Sequence, residues 1–349
     1  MLCGVPPVEP PLLLAARRQP TPFTPVWLMR QAGRYKPEYR ALRARHSFLD
    51  LCKTPSAAAE VTLQPIERLG VDAAILFADI LLILEPLGVG LEFAKGEGPV
   101  IHRPVRGAAD IARLHPADVE SAVGFVFETV RLVARALPAR VPLIGFAGAP
   151  FTVASYVIEG GPSRSFTATK RLMHEEPEAW EQLLALLAKA TAAYLNGQIA
   201  AGVQAVQLFD SWVGALSTDD YREFVLPHTR AVIGGLTPGV PVIHFGTGTA
   251  GLLPLMRQAG GDVVGLDWRV DLDAAWEAVG HDVAVQGNLD PVALLSPPAR
   301  FEGAVRNILR RAGGRPGHIF NLGHGILPQT PVEHVKALVD MVHELSAPR

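Results

Sequence analysis

Eight short apolar runs recur along this chain, and most of them end in glycine or in a polar residue. Apolar runs without strict alternation are typical of strands that are buried on both faces of a parallel sheet. The segments between the runs are long enough to hold helices that cover such a sheet. The predicted strands lie at residues 25–29, 73–77, 143–146, 205–209, 240–245, 263–266, 283–286 and 318–322.

The segments between the runs carry helix signals. Residues 177–201 have Pro177 at the first helical position and place apolar side chains, among them Trp180 and Leu187, at helical spacing. Eight strands joined by helical crossovers predict an α/β fold of the (β/α)8 TIM-barrel type, in which the strand ends converge on one mouth. An open, doubly wound parallel sheet is the competing architecture, because periodicity does not reveal whether a sheet closes.

The domain organisation is predicted to be simple. At roughly 150 residues per domain the 349 residues would make two domains, but single barrels exceed 250 residues. With no linker or repeat in the sequence, we predict one domain at 21–349, preceded by a proline-rich segment at 1–20. The extra length is expected between the second and third predicted strands, where glycine-containing stretches at 88–93 and 96–104 predict a β-hairpin ahead of another helix.

Composition and charge restrict the partners of the chain. With 49% hydrophobic and 19% charged residues, the chain can bury a large core and is not disordered. A formal net charge of −2 argues against binding to nucleic acid or to an anionic membrane surface. The longest apolar stretch, 73–84, contains Asp79 and is too short for a membrane span. An anionic ligand must therefore be met by locally clustered cations.

Cysteine usage indicates the compartment. Only Cys3 and Cys52 are present, and they lack the spacing of a disulfide framework or of a zinc site. The first residues also lack the apolar core of a signal peptide. We therefore expect a cytoplasmic protein without a cysteine-based metal site.

Two arginines four residues apart, Arg30 and Arg34, follow the first predicted strand. A guanidinium offers a fork of donors that matches a carboxylate, and Gly33 permits close approach of the backbone. Arg43, on the next helix-compatible segment, adds a third cation. This segment is predicted to bind carboxylates, unless the arginines are ordinary solvated surface residues.

Asp79 lies in an otherwise apolar stretch that follows the second predicted strand. A carboxylate in such surroundings is costly unless a donor satisfies it. It therefore either pairs with a structural arginine or faces the donors of a ligand at the barrel mouth, where catalytic residues of this architecture collect.

Three more polar side chains follow predicted strands. Tyr156 lies in the helix after the run at 143–146, Ser211 follows the run at 205–209, and His324 stands between two glycines after the last run. Each has an ordinary alternative: packing for Tyr156, a polar contact or helix cap for Ser211, and a backbone hydrogen bond for His324. Ser211 lacks the glycine two residues earlier that a hydrolase nucleophile elbow requires.

A glycine motif supports a competing function. Residues 246–251 read G-x-G-x-x-G directly after the run at 240–245, and Asp267 follows about twenty residues later, as in a dinucleotide-binding fingerprint. Taken alone, the motif predicts a nicotinamide cofactor. We disfavour it, because four predicted strands precede this unit and because it leaves Asp79 and His324 without roles.

Several segments together closely resemble the uroporphyrinogen decarboxylase family. The most specific are P-V-W-L-M-R-Q-A-G-R-Y at 25–35 and G-F-A-G-A-P-F-T at 145–152. Further matching segments are 77–81, 155–161, 208–212, 286–291 and 321–325. The resemblance runs from about residue 25 to about residue 345.

This resemblance implies a homodimeric (β/α)8 barrel that removes four acetate carboxyl groups of uroporphyrinogen III as CO2, giving coproporphyrinogen III without a cofactor or metal. Asp79 would accept pyrrole N–H groups and stabilise the cation formed when a ring carbon is protonated; the protonated ring is the electron sink that a cofactor supplies elsewhere. The proton donor stays open among Asp79, Arg30, Tyr156, His324 and water. The implied catalytic residues are Asp79, Tyr156 and His324, and the implied substrate-binding residues are Arg30, Gln31, Ala32, Gly33, Arg34, Arg43, Asp79, Tyr156, Ser211 and His324.

Two alternatives remain. A zinc- and corrinoid-dependent methyltransferase of the same superfamily would need a His-x-Cys and a further Cys as zinc ligands, which Cys3 and Cys52 do not supply. A non-catalytic tetrapyrrole carrier would keep the arginines without turnover, but it has no need of a carboxylate such as Asp79 in the barrel mouth.

Overall fold

The computed structural model describes residues 9–94, 98–115 and 119–348. Its strands are β1 (Ala74–Ile75), β2 (Leu91–Ala94), β3 (Gly98–Ile101), β4 (Leu143–Gly148), β5 (Ala205–Asp210), β6 (Val242–Gly246), β7 (Val263–Gly265), β8 (Ala284–Gln286) and β9 (His318–Ile319). Its helices are α1 (Pro11–Ala16), α2 (Pro37–Arg43), α3 (Phe48–Lys53), α4 (Pro55–Leu69), α5 (Ala108–Ile111), α6 (Val119–Ala122), α7 (Gly124–Ala136), α8 (Pro150–Glu159), α9 (Thr167–Glu175), α10 (Pro177–Ala201), α11 (Thr218–Phe224), α12 (Leu226–Gly234), α13 (Leu253–Ala259), α14 (Leu272–Val279), α15 (Pro298–Ala312) and α16 (Val332–Ser346). Short 3-10 turns occur at Leu82–Leu84, Val213–Ala215 and Pro291–Leu295.

Seven strands form one parallel sheet in the order β1-β4-β5-β6-β7-β8-β9. A doubly wound sheet reverses its strand order at a switch point. The order here follows the chain throughout, so the doubly wound alternative is wrong. A curled parallel sheet surrounded by helices is the arrangement of a TIM-type fold.

The first predicted strand, 25–29, is not a regular strand. Val26 makes one parallel bridge to Phe320, next to β9, and its carbonyl accepts the N–H of Asp72, next to β1. The N–H of Val26 donates to the Asp72 carboxylate at 2.7 Å, and Pro25 has no N–H to offer, so the ladder cannot extend. The segment nevertheless hydrogen-bonds to residues beside both edge strands.

A chain of buried side chains crosses the inside of the sheet. Trp27 Nε1 donates to Gln286 of β8 at 2.8 Å, and Gln286 Nε2 donates to Gln207 of β5 at 2.9 Å. All three side chains are almost fully buried. Because β5 and β8 are three strands apart, this contact requires the sheet to curl around its interior.

Helices follow each strand from β4 to β9 and cover the outer face. The prediction at 177–201 is confirmed by α10, which has Pro177 in its first turn and buries Trp180 and Leu187. α8 begins with Pro150 and ends at Glu159, and the cap residue that follows, Gly160, adopts a left-handed conformation. α8 thereby carries Tyr156 from the end of β4 along the mouth.

The N-terminal segment is partly packed into the fold. In the described part of residues 1–20, the helix α1 buries Leu12, Leu13, Ala15 and Ala16 and packs against β8 and β9. The apolar run after Pro10 and Pro11 accounts for this, because a short amphipathic helix can begin at a proline.

A hairpin lies between β1 and β4. β2 and β3 pair antiparallel, with Phe93 opposite Pro99. The predicted turn residues 95–97 lie outside the described residues. Phe93 stacks against Phe48 at a ring separation of 4.6 Å, and Phe48 meets Phe77 at 5.9 Å. The hairpin therefore packs beside the segment that leads to Asp79.

Candidate active site

Asp79 stands four residues after β1 and is partly open to solvent. Its Oδ1 accepts the N–H of Leu81 at 2.9 Å. Among the described residues, no Lys, Arg or His nitrogen lies within ion-pair distance of its carboxylate. Burial raises the pKa of Asp79 to about 6, although the Leu81 N–H and the charge of Arg30 act in the opposite direction. The carboxylate is therefore not held by a structural arginine, and Oδ2 is available to a ligand.

Arg30 occupies the loop that follows Met29, in a left-handed backbone conformation with φ 63°. Its aliphatic stem crosses Gly325, where an added Cβ would lie 2.4 Å from Arg30 Cδ. Desolvation and the positive charge of Arg34 lower the pKa of Arg30, while Tyr156 and Asp79 raise it. Arg30 thus lies in the same electrostatic neighbourhood as Asp79 and Tyr156, and Arg34 is exposed beside it.

The residues between these arginines divide into two roles. Gln31 is fully buried: its side chain accepts the N–H of Leu28 and donates to the carbonyl of Ala73, and its own N–H donates to Leu28. Its side chain ties the loop to the sheet and does not reach the mouth. Ala32 and Gly33 are half-buried, and within the described residues their N–H groups have no hydrogen-bond acceptor. These two N–H groups are free to donate to a carboxylate.

Arg43 is the last residue of α2, and its side chain is half-buried. Its guanidinium donates to the carbonyl of His46 and lies 5.7 Å from the Phe48 ring centroid. Burial raises the pKa of the Cys52 thiol. The negative charge of Asp79 raises this pKa further, whereas the positive charge of Arg43 lowers it. The charges of Arg43 and Asp79 therefore both act on the same buried thiol.

Tyr156 stacks on Trp212, with ring centroids 3.8 Å apart and planes inclined by 29°. Burial and the charge of Asp79 raise the pKa of Tyr156 to about 12, against the charge of Arg30. The phenol is therefore a neutral hydrogen-bond donor at pH 7.

Trp212 was not singled out from the sequence. An aromatic residue directly after the polar pair Asp210 and Ser211 at a strand end was the available signal. The Thr152 hydroxyl holds this position, because it donates to Asp210 at 2.8 Å and accepts the N–H of Trp212 at 3.3 Å.

Ser211 lines a cleft of about 320 Å³ at the ends of β5 and β6. Its carbonyl accepts the hydroxyl of Thr247, and its own side chain is half-buried. The cleft is lined by Ser163, Arg164, Phe166, Ser211, Trp212, Gly214, Ala215, Thr247, Gly248 and Arg269.

His324 is half-buried and neutral at pH 7. Burial and the charges of Arg30 and Arg269 lower the pKa of His324 to about 4, whereas Asp267 acts in the opposite direction. Its Nδ1 accepts the N–H of Gly325 at 2.7 Å, which leaves the proton on Nε2. His324 therefore links the Arg30 side of the mouth to the Arg269 side as a neutral Nε2–H donor.

The glycine motif at 246–251 makes hydrogen bonds within the protein. Asp267 is 1% exposed and accepts the N–H of Gly248, the N–H of Arg269 and the Arg269 guanidinium. A dinucleotide site needs that carboxylate for a ribose and that N–H for a phosphate. The two groups that the nicotinamide alternative needs most, the Asp267 carboxylate and the Gly248 N–H, are therefore already paired with each other.

Two further classes of site receive no support from the described ranges. No group of three or more His, Cys, Asp or Glu side chains in residues 9–94, 98–115 and 119–348 could hold a metal ion. Cys52 is preceded two residues earlier by Asp50, so it does not supply the His-x-Cys of the methyltransferase alternative, and Cys3 lies outside the described residues. Within the same ranges, no helix has the length and apolarity to cross a membrane.

Comparison with known proteins identifies the family of this chain. The family described as Uroporphyrinogen decarboxylase (URO-D) matches residues 9–345. The uroporphyrinogen decarboxylase of Sorangium cellulosum is 59% identical over 334 residues, which cover 95% of both chains. That of Carboxydothermus hydrogenoformans is 58% identical over 336 residues, which cover 96% of both chains.

Among solved structures, a methyltransferase from Methanosarcina mazei superposes with a TM-score of 0.78 at 20% identity, covering 95% of this chain and 97% of that one. A B12-independent methionine synthase from Shewanella superposes with a TM-score of 0.53 at 13% identity, covering 83% and 87%. At these identities the likeness concerns the fold alone.

Proposed function

This chain belongs to the uroporphyrinogen decarboxylase family, and from that premise we propose how its residues carry out the reaction. The chain is a carboxy-lyase of tetrapyrrole biosynthesis. It removes the carboxyl groups of the four acetate side chains of uroporphyrinogen III and forms coproporphyrinogen III. The observation that supports the mechanism best is Asp79, a carboxylate in the mouth without an ion-pair partner among the described residues.

Asp79 binds the pyrrole N–H groups through its free Oδ2. With a pKa of about 6 it is mostly ionised at pH 7, and ring N–H donors stabilise the ionised form further. Protonation of a ring carbon next to an acetate makes the ring cationic, and the nearby carboxylate stabilises that charge as it develops. Loss of CO2 then passes the electron pair of the broken C–C bond into the ring and leaves an exocyclic methylene. Protonation of that methylene forms the methyl group, and release of the proton from the ring carbon restores the pyrrole. The substrate itself is therefore the electron sink, and the step needs no cofactor.

The arginines bind the carboxylates of the macrocycle. Arg30, whose charge acts on Asp79, and Arg34 beside it are the main cations, and Arg43 on α2 adds a third. The free N–H groups of Ala32 and Gly33 add donors. Because the net charge of the chain is −2, this local cluster has to supply the attraction for an eight-carboxylate substrate.

Tyr156, Ser211 and His324 position the macrocycle by hydrogen bonds. With a pKa of about 4, His324 is neutral in the free protein at pH 7 and donates a hydrogen bond through Nε2–H. The proton donor stays open among Asp79, Arg30, Tyr156, His324 and water. Gln31 acts indirectly: its buried side-chain amide attaches the loop that carries Arg30 and Arg34 to the sheet.

The finer architecture is part of the same proposal. We take 25–29 as the first strand of a closed (β/α)8 barrel, which brings the seven strands of the sheet to eight. Its hydrogen bonds to Phe320 and Asp72 support this assignment. We take the region of β2 and β3 as the elaboration between the second and third strands of that barrel. We expect a homodimer from the family resemblance, and sedimentation equilibrium tests it. We expect the cytoplasm because Cys3 and Cys52 lack the spacing of a disulfide framework.

The decisive experiment is anaerobic product analysis. Purified protein with uroporphyrinogen III and no added cofactor should form hepta-, hexa- and pentacarboxylate intermediates and then coproporphyrinogen III. Binding of the substrate without any of these intermediates would support a tetrapyrrole carrier and overturn the decarboxylase.

A further inference from the structure

One cation in the mouth has no role in the mechanism so far. Arg164 lines the cleft beside Ser211 and Trp212 and is exposed. Within the described residues it has no ion pair and no hydrogen-bond partner. A free guanidinium inside a concave site is a binding group for a planar anion.

The loop of Arg164 is held in place by its neighbours. The Ser163 hydroxyl accepts the N–H of Phe166, and Phe166 packs edge-on against Trp212 with ring centroids 5.1 Å apart. Lys170, at the start of α9, donates to the carbonyl of Ala215. These contacts attach the loop to the end of β5, so Arg164 is presented to the cleft by a packed support.

Arg269 lines the same cleft from the end of β7. Its guanidinium lies 3.8 Å from the Trp268 ring centroid and donates one N–H to Asp267. The guanidinium has five N–H donors, and about half of its side chain is exposed, at 51%. Stacking on Trp268 orients the remaining donors, because an indole face attracts and aligns a cation.

We propose that Arg164 and Arg269, together with Ser211, form a carboxylate subsite that holds a propionate side chain of the macrocycle. This proposal rests on the proposed function, since it assigns one part of that substrate to one part of the mouth. The cleft of about 320 Å³ is at the small end of ligand pockets, which suits a substituent of the macrocycle.

The assignment to a propionate follows from the chemistry of the reaction. A guanidinium stabilises a carboxylate as an anion, and this ground-state stabilisation opposes loss of CO2. The pair Arg164 and Arg269 is therefore suited to bind those side chains of the macrocycle that keep their carboxyl groups through all four decarboxylations. The propionates survive, and the product retains four of them.

Binding of coproporphyrinogen III tests the subsite without turnover. Trp212 lines the cleft and Trp268 stacks on the lining residue Arg269, so intrinsic tryptophan fluorescence under anaerobic conditions reports the titration. In Arg164→Gln the Kd for coproporphyrinogen III should rise about tenfold, the loss expected for one charge-assisted hydrogen bond. Arg269→Gln should show a similar rise, and Arg164→Lys should lie between wild type and Arg164→Gln.

The matched control is Arg171→Gln. Arg171 is also exposed, lies seven residues further along the chain, pairs with Glu175 and does not line the cleft, so this variant should bind like wild type. In turnover of uroporphyrinogen III, Arg164→Gln should raise KM by more than it changes kcat.

Each outcome separates the subsite from the reaction. If Arg164→Gln binds coproporphyrinogen III as tightly as Arg171→Gln does, the subsite is overturned even where the wild type decarboxylates normally. A raised KM with an unchanged Kd for the product overturns the propionate assignment. If the wild type shows no turnover but Arg164→Gln weakens product binding, the decarboxylase proposal fails and the subsite stands.

Discussion

Asp79 and Asp267 follow two strands at the same end of the sheet, after β1 and after β7. The Asp267 carboxylate is buried and accepts two backbone N–H groups and a guanidinium. The Asp79 carboxylate accepts one backbone N–H and has no ion pair among the described residues. The Asp267 carboxylate therefore stabilises the loops around it, whereas the Asp79 carboxylate has an oxygen that can bind a ligand.

The difference lies in what surrounds each residue. Around Asp267, the glycine loop and Arg269 come close enough to satisfy both oxygens. Around Asp79, Arg30 is near enough to affect the pKa but its stem rests on Gly325. An acid at a strand end is thus a site candidate only when the fold leaves its oxygens without partners.

Asp79→Asn is expected to have the largest effect. Loss of the charge that stabilises the developing cation should lower kcat by roughly 10²–10³. The pKa of Asp79 is raised from its usual 3.8 to about 6, so the stability of wild type falls as the pH rises through this window, and the amide avoids that penalty. At pH 7 the variant should be more stable by about 1–2 kcal/mol, given the partial exposure of the side chain.

Kinetics and urea unfolding of Asp79→Asn measure the two effects side by side. Unchanged turnover would remove Asp79 from its role. A loss of stability would show that its carboxylate has a structural partner, as Asp267 does.

The pH dependence of wild type gives the next largest effect. Because the pKa of Asp79 is about 6, about a tenth of the carboxylate is ionised at pH 5, and kcat/KM should fall about tenfold from its plateau. His324, with a pKa of about 4, stays neutral there and does not contribute. The residual activity of Asp79→Asn should lack this acid limb, and an identical limb in that variant would assign the titration to another group.

Gly325→Ala tests the position of Arg30. The new Cβ would lie 2.4 Å from Arg30 Cδ and 2.9 Å from Nε, so the flexible side chain must move away from the mouth. We expect KM for uroporphyrinogen III to rise several-fold, up to about tenfold. Gly303→Ala on α15, where a Cβ meets nothing within 4 Å, is the matched control and should leave KM unchanged. Equal KM values for the two variants would contradict the placement of Arg30 in the site.

Asp267→Asn should affect stability more than chemistry. The buried Asp267 carboxylate accepts three hydrogen bonds, and an amide cannot accept all of them. The free energy of unfolding, measured by urea unfolding, should therefore fall by about 2 kcal/mol. Activity should fall only a few-fold, through loosening of Arg269. An activity loss as large as that of Asp79→Asn, without a loss of stability, would mean that the two aspartates have similar roles.

Titration with NAD should show the smallest effect. Because Asp267 and the Gly248 N–H are already paired, calorimetry should detect no tight complex. Tight binding of NAD would show that the Gly248 N–H and Asp267 can separate to bind a ligand. Asp267 would then be as available to a ligand as Asp79 is.

Much of the fold was accessible from local pattern. The apolar runs located the seven strands of the sheet, and Pro177 with the apolar spacing after it gave both ends of α10. The segment 25–29 was the exception, because its hydrogen bonds depend on a distant carboxylate, that of Asp72. No periodicity within the segment carries that information.

The site was accessible in part. Arg30, Asp79, Tyr156, Ser211 and His324 were all singled out, and electrostatic or packing contacts connect them in the structure. The buried side chain of Gln31 holds the loop, and the sequence did not single out Trp212 or the two arginines of the proposed subsite, Arg164 and Arg269. A stacking partner or a shared cleft depends on residues far apart in the chain, so the sequence offered at most a weak signal for them.

By itself, the sequence determined the strand and helix periods, the start of α10 at Pro177, and the family to which the chain belongs. These are properties of neighbouring residues and of specific local motifs. Only the tertiary structure decided that the sheet winds in one direction, that Asp267 is internally paired and that Asp79 is open to a ligand. The physical reason is that hydrogen bonds and charges act through space, and the fold alone sets which distant groups come within their reach.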